Sequence, residues 1–110
     1  MSAPVLAIDA RSANATQRAG VGSFCTELLR ALPNVAGDWR LLVYLDAPPR
    51  EAFPLSTAQA NFRVLPRGPL WTQRMLPAAL AADRPDVYFS PLTHLPFRCP
   101  CKAMAMVHDL

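Results

Sequence analysis

The sequence predicts an α/β domain with a partial, doubly wound parallel sheet. Short unbroken apolar runs alternate with helical patterns, and those runs lack the polar alternation of a half-exposed strand. Acidic or turn-forming residues close several of them. At 110 residues, with 52% hydrophobic and 17% charged residues, the chain is sized for one modest globular domain rather than a disordered segment.

Val5-Leu6-Ala7-Ile8, ending in Asp9, is the first strand, of the kind buried on both faces. A polar loop over residues 11–18 follows. Val21, Phe24, Cys25, Leu28, Leu29 and Leu32 then recur at helical spacing, so one apolar stripe defines an amphipathic helix of about three turns. Pro33 and Asn34 are expected to end it. Residues 39–45 form a second strand, closed by Asp46 and Pro48-Pro49, and residues 61–65 a short third one. Between them, residues 49–60 have no clear period and are expected to run over the surface. Residues 70–82 suit a helix that Pro77 should kink or split, because proline has no N–H to donate. Residues 86–90 and 103–107 supply the last two strands, joined by a proline-rich loop. The 103–107 run would be an aggregation-prone edge if nothing covered it, so the chain is expected to be a piece of a larger protein.

Charge and cysteine content exclude several classes. The formal charge of +3 is spread along the chain rather than gathered into a patch, so nucleic acid is not the expected partner. The charge leaves room for an anionic small molecule or an acidic membrane surface. No apolar stretch approaches the roughly 20 residues of a membrane-spanning helix, and the N-terminus lacks a signal-peptide pattern. Three cysteines, Cys25, Cys99 and Cys101, suit a reducing cytoplasm. Cys25 reads as core filler. His94, Cys99, Cys101 and His108 form a weak zinc set, since the Cys-x-Cys spacing is tighter than structural sites use.

Three features fall where a parallel sheet gathers its ligands, at the C-terminal ends of strands. They are Asp9-Ala10-Arg11, Gly20-Val21-Gly22 at the start of the first helix, and His108-Asp109 after the last strand. Glycines allow close backbone approach, and the first N–H groups of a helix attract phosphate-like anions. His108 suits proton transfer or hydrogen bonding to a substrate. Each also has a plainer role: glycines that let a loop enter a helix, a histidine satisfied at a strand end, aspartates that cap loops. A dinucleotide fingerprint fits poorly. Asp46 does end the second strand, but Cys25 occupies the third glycine position and the glycines start 11 residues after Asp9.

Taken together, AIDAR over residues 7–11, AGVGSFCTELLRAL over 19–32, Leu70-Trp71-Thr72-Gln73 with Leu76-Pro77, DVYFSP over 86–91, Leu95-Pro96 and Val107-His108-Asp109-Leu110 resemble the N-terminal domain of family 4 glycosyltransferases of the GT-B fold. The resemblance implies the N-terminal half of a Rossmann-like domain over residues 1–110, with the C-terminal donor-binding domain absent. It implies retaining transfer of a sugar from a nucleotide-sugar donor to a glycan or lipid-linked acceptor, with no cofactor beyond the donor. His108 would face the donor sugar as the catalytic residue. Gly20, Val21 and Gly22 would lie near the donor phosphates and acceptor, with Arg11 and Asp109 as further substrate-binding residues. Such an enzyme would be cytoplasmic, with peripheral contact at the inner membrane face. Ser23-Phe24 departs from the Arg-Tyr common in that family, and a lone piece of this length is expected to be inactive. The alternative is a stand-alone nucleotide-binding or regulatory α/β module; a nicotinamide-dependent oxidoreductase fragment is a third.

Overall fold

A computed structural model of the chain describes residues 3–14, 20–35, 37–90 and 102–105. Five parallel strands form one sheet: β1 (Val5–Asp9), β2 (Arg40–Leu45), β3 (Asn61–Val64), β4 (Val87–Ser90) and β5 (Lys102–Ala105). Their spatial order is β3-β2-β1-β4-β5, and every neighbouring pair is parallel. The chain therefore winds outward from β1 through β2 to β3, then returns past β1 to lay down β4 and β5. That reversal between β1 and β4 makes the domain doubly wound, as the sequence predicts.

Alternation along each strand sorts the core into two layers. Ile8, Val43, Leu41 and Leu45 face α1 (Gly20–Val35), which contributes Cys25 and Leu29. Ala7, Tyr44 and Tyr88 face the other way, toward Trp71 and the Leu76, Ala79 and Leu80 of α2 (Leu76–Asp83). Both sheet faces are covered, so the central strands need no polar residues. Cys25 is fully buried, in keeping with its expected packing role.

Three local expectations change. Helix α1 runs through Pro33 to Val35 instead of stopping at the proline. Pro33 falls in its last turn, where the missing N–H removes one hydrogen bond without interrupting a long helix downstream. Residues 49–60 do not simply cross the surface: Phe53, Leu55 and Ala60 are buried against the α1 side of the sheet. Three apolar anchors at irregular spacing leave no period to detect. The loop after β1 begins with a 3₁₀ turn, Arg11–Asn14, that packs on α1.

The split at Pro77 is as expected, with an unusual form. Trp71–Met75 is a π-helical turn, in which Met75 N–H donates to Leu70 C=O at 3.4 Å. Helix α2 then starts at Leu76, with Pro77 in its first turn, where proline's absent donor costs nothing. Arg84 closes α2 in the left-handed region, at φ 50°, its N–H donating to Leu80 C=O at 2.9 Å. No helix among the described residues is long and apolar enough to cross a membrane.

Candidate functional site

Strand order reverses between β1 and β4, and sheets of this kind hold ligands outside the C-terminal strand ends at that point. Strand β1 delivers Asp9 to that rim, 3% exposed. The chain then folds back at once, so that Arg11 caps its own strand end. The Asp9 carboxylate accepts four hydrogen bonds from this one residue: the Arg11 backbone N–H at 3.1 Å, Nε at 3.0 and 3.3 Å, and Nη2 at 2.8 Å. Such a fork-to-carboxylate pair is planar and directional.

Two further contacts fix the guanidinium. Its Cζ lies 3.8 Å from the centroid of the Trp71 ring, a cation–π stack. Its Nη2 also donates to Thr72 Oγ1 at 3.3 Å. Trp71 is itself held, 3% exposed, by Nε1 donating to Leu65 C=O at 3.1 Å. Burial by itself would lower the Arg11 pKa, but the hydrogen bond to Asp9 and the Asp9 charge outweigh it, and the net shift is upward. A raised pKa keeps this pair's stabilisation fully present below the unfolded arginine value. It is lost only as pH climbs through the folded value, far above neutrality.

With Asp9 and Thr72 served, the remaining edge of the guanidinium is Nη1, whose two N–H groups have no partner among the described residues. Asp9 is fully engaged, so it is a positioning group for Arg11 and not a free ligand. Next in the chain, Ser12 Oγ is buried without a hydrogen-bond partner among the described residues. Asn14 ties the rim together: its Nδ2 donates to Pro48 C=O at 3.0 Å, and its Oδ1 accepts from Arg50 N–H at 2.8 Å. Asp46, directly after β2, pairs with the exposed Arg67 through Nε at 3.2 Å.

Of the residues singled out from the sequence, Arg11 lies at this rim. Gly20, Val21 and Gly22 form the first turn of α1, which carries no acidic residue and follows the 3₁₀ turn that packs on it. Gly22 C=O accepts from Thr26 Oγ1 at 2.9 Å. His108 and Asp109 lie outside the described residues, as do His94, Cys99 and Cys101 of the zinc set. Among the described residues, no group of three His, Cys, Asp or Glu side chains could hold a metal ion. Trp71 and Thr72 were visible in sequence only as part of a resembling segment; their contact with Arg11, 61 residues away from Thr72, has no local signature.

Comparison with family models, with curated proteins and with solved structures finds no match to this chain. What is shown is the architecture: a small Rossmann-like α/β domain. Fold alone does not assign chemistry, so function rests on the site.

Proposed function

We propose that this domain is a binding module for a nucleotide or nucleotide sugar, held through its phosphates at the β1/β4 rim. The observation that carries it is Arg11. Its guanidinium is immobilised on three sides, by Asp9, Trp71 and Thr72, with one donor edge left over beside the strand ends at which doubly wound sheets bind ligands. The first turn of α1, with its glycines and no acid, supplies a second donor group suited to a diphosphate. The Asp9–Arg11 pair is neutral as a whole, so recognition here depends on the direction of N–H groups rather than on net charge.

Calorimetric titration with adenosine, guanosine and uridine diphosphates tests this. At least one should bind saturably, and Arg11→Gln should weaken it by about tenfold or more, the loss of a charge-assisted hydrogen bond. No saturable binding by any of the three, or an unchanged affinity in Arg11→Gln, overturns it.

Sugar transfer is a second reading, favoured by one contact. Two of the segments that carry the glycosyltransferase resemblance, residues 7–11 and 70–73, meet through Arg11, Trp71 and Thr72. In that reading this chain forms one wall of a two-domain cleft, with a glycan or lipid-linked acceptor near Arg11 and the donor sugar facing His108. A fragment without the second domain should release no sugar from a nucleotide-sugar donor. Turnover by the 110-residue chain would contradict its assignment as an incomplete enzyme.

A further inference from the structure

Thr72 serves the fold as an acceptor only: its Oγ1 takes a hydrogen bond from Arg11 Nη2 at 3.3 Å. A hydroxyl can also donate, and among the described residues the Thr72 O–H has no acceptor. Thr26 shows the usual outlet for a helical threonine, with Oγ1 donating to the carbonyl four residues back, that of Gly22, at 2.9 Å. Thr72 holds the second position of the π-helical turn Trp71–Met75, and its Oγ1 turns instead to Arg11. The residue is half-buried, so an idle donor there is partly withdrawn from water at a cost in free energy.

The guanidinium fixes where that donor can act. Nε and Nη2 form its side edge, which Asp9 takes. The second hydrogen of Nη2 and one hydrogen of Nη1 run parallel off the far end, and Thr72 Oγ1 fills the position in front of Nη2. An oxygen accepting from Nη1 in the neighbouring position lies about 2.5–3.0 Å from that hydroxyl, the span of an O–H···O bond. Arg11 and Thr72 therefore aim two donors, one charged and one neutral, at a single point. Trp71 closes one face of the guanidinium, and the Arg11 side chain keeps 24% of its surface exposed, which leaves room for a ligand atom to reach it.

We propose that Thr72 is a ligand-binding residue of the rim site, donating its hydroxyl hydrogen to the same phosphate oxygen that accepts from Arg11 Nη1. A non-bridging phosphate oxygen is anionic and has lone pairs for both donors at once. Because Thr72 already holds one of the two parallel positions, Arg11 takes one oxygen of the ligand there and not two. The inference rests on the phosphate reading of the rim and adds its second donor.

The adenosine, guanosine and uridine diphosphates are the probes, titrated calorimetrically into the full chain and into Thr72→Val and Thr72→Ser. Thr72→Val keeps the branched shape and drops the hydroxyl. It should weaken the diphosphate that binds by about tenfold or more, the worth of a hydrogen bond to a charged group. Thr72→Ser should restore most of that affinity. The Arg11 Nε–H resonance of ligand-free Thr72→Val separates a lost ligand contact from a loosened Arg11. Asp9 and Trp71 still hold that edge, so the signal should stay as sharp as in the unaltered chain. Unchanged affinity in Thr72→Val, no recovery in Thr72→Ser, or a broadened Arg11 Nε–H in Thr72→Val would overturn the proposal. Binding that weakens in Arg11→Gln but not in Thr72→Val would sink this inference and leave the rim reading standing. No binding by any of the three diphosphates would end both.

Discussion

The two faces of the sheet are built from different materials. On the α1 side the core rings have no polar tips: Ile8, Val43, Leu29 and Cys25 pack with Phe89 and with the edge-to-face pair Phe53 and Phe62, 5.5 Å apart. On the α2 side it holds Tyr44, Tyr88 and Trp71, and two of these rings, Tyr44 and Trp71, are tethered at their polar tips. Tyr44 and Tyr88 pack edge-on at 6.5 Å, Tyr44 Oη donates to Asp83 Oδ2 at 2.8 Å, and Trp71 Nε1 donates to Leu65 C=O. Aliphatic packing is directionless and supplies stability. A tethered ring also has a fixed position and orientation, and Trp71 uses both to hold Arg11 at the rim. Both faces contribute stability, and the difference assigns placement of the site to the α2 side alone.

Substitutions that separate those roles follow. Trp71→Ala should have the largest effect, since it removes a buried ring and releases Arg11. A loss of about 3–5 kcal/mol in urea unfolding is expected, together with weaker diphosphate binding. Should that variant fail to fold, Trp71→Phe keeps a ring under Arg11 but drops the Nε1 tether, and binding should fall more than stability does. Leu29→Ala, fully buried on the other face, should cost about 3 kcal/mol yet leave the affinity of the folded fraction unchanged. Equal effects of Leu29→Ala and Trp71→Phe on binding would erase the distinction between faces. Tyr44→Phe is the mildest. It removes one tether while Arg63 Nε still reaches Asp83 at 3.1 Å, so about 1 kcal/mol of stability and little binding should be lost.

The same contrast explains how far sequence reasoning could reach. Helix α1 is plain because its single apolar stripe, Val21 through Leu32, must face one layer. Strands β1, β2 and β4 were plain because strands buried on both faces leave unbroken apolar runs. The α2 side gave a weaker signal. Leu76, Ala78, Ala79, Leu80, Ala81 and Ala82 are apolar all round the helix, and Pro77 marks only the break. Residues 49–60 gave none, as three anchors hold them without a period. For the site, Asp9 and Arg11 stood out by their place at a strand end. That Asp9 serves Arg11, and that Trp71 supports both, are long-range facts of packing. Sequence spacing cannot encode a contact formed across two layers.

The central claim is that Arg11, locked by Asp9 and Trp71, presents its free edge to a phosphate. The most direct measurement is the ¹⁵N–¹H resonance of the Arg11 side chain, followed as uridine diphosphate is added, with exposed Arg30 as internal reference. The account predicts a sharp, exchange-protected Arg11 Nε–H before ligand, a saturable shift of that resonance on addition, and no change at Arg30. An Arg11 signal that exchanges as fast as Arg30's, or one that stays fixed while diphosphate binds, would contradict it.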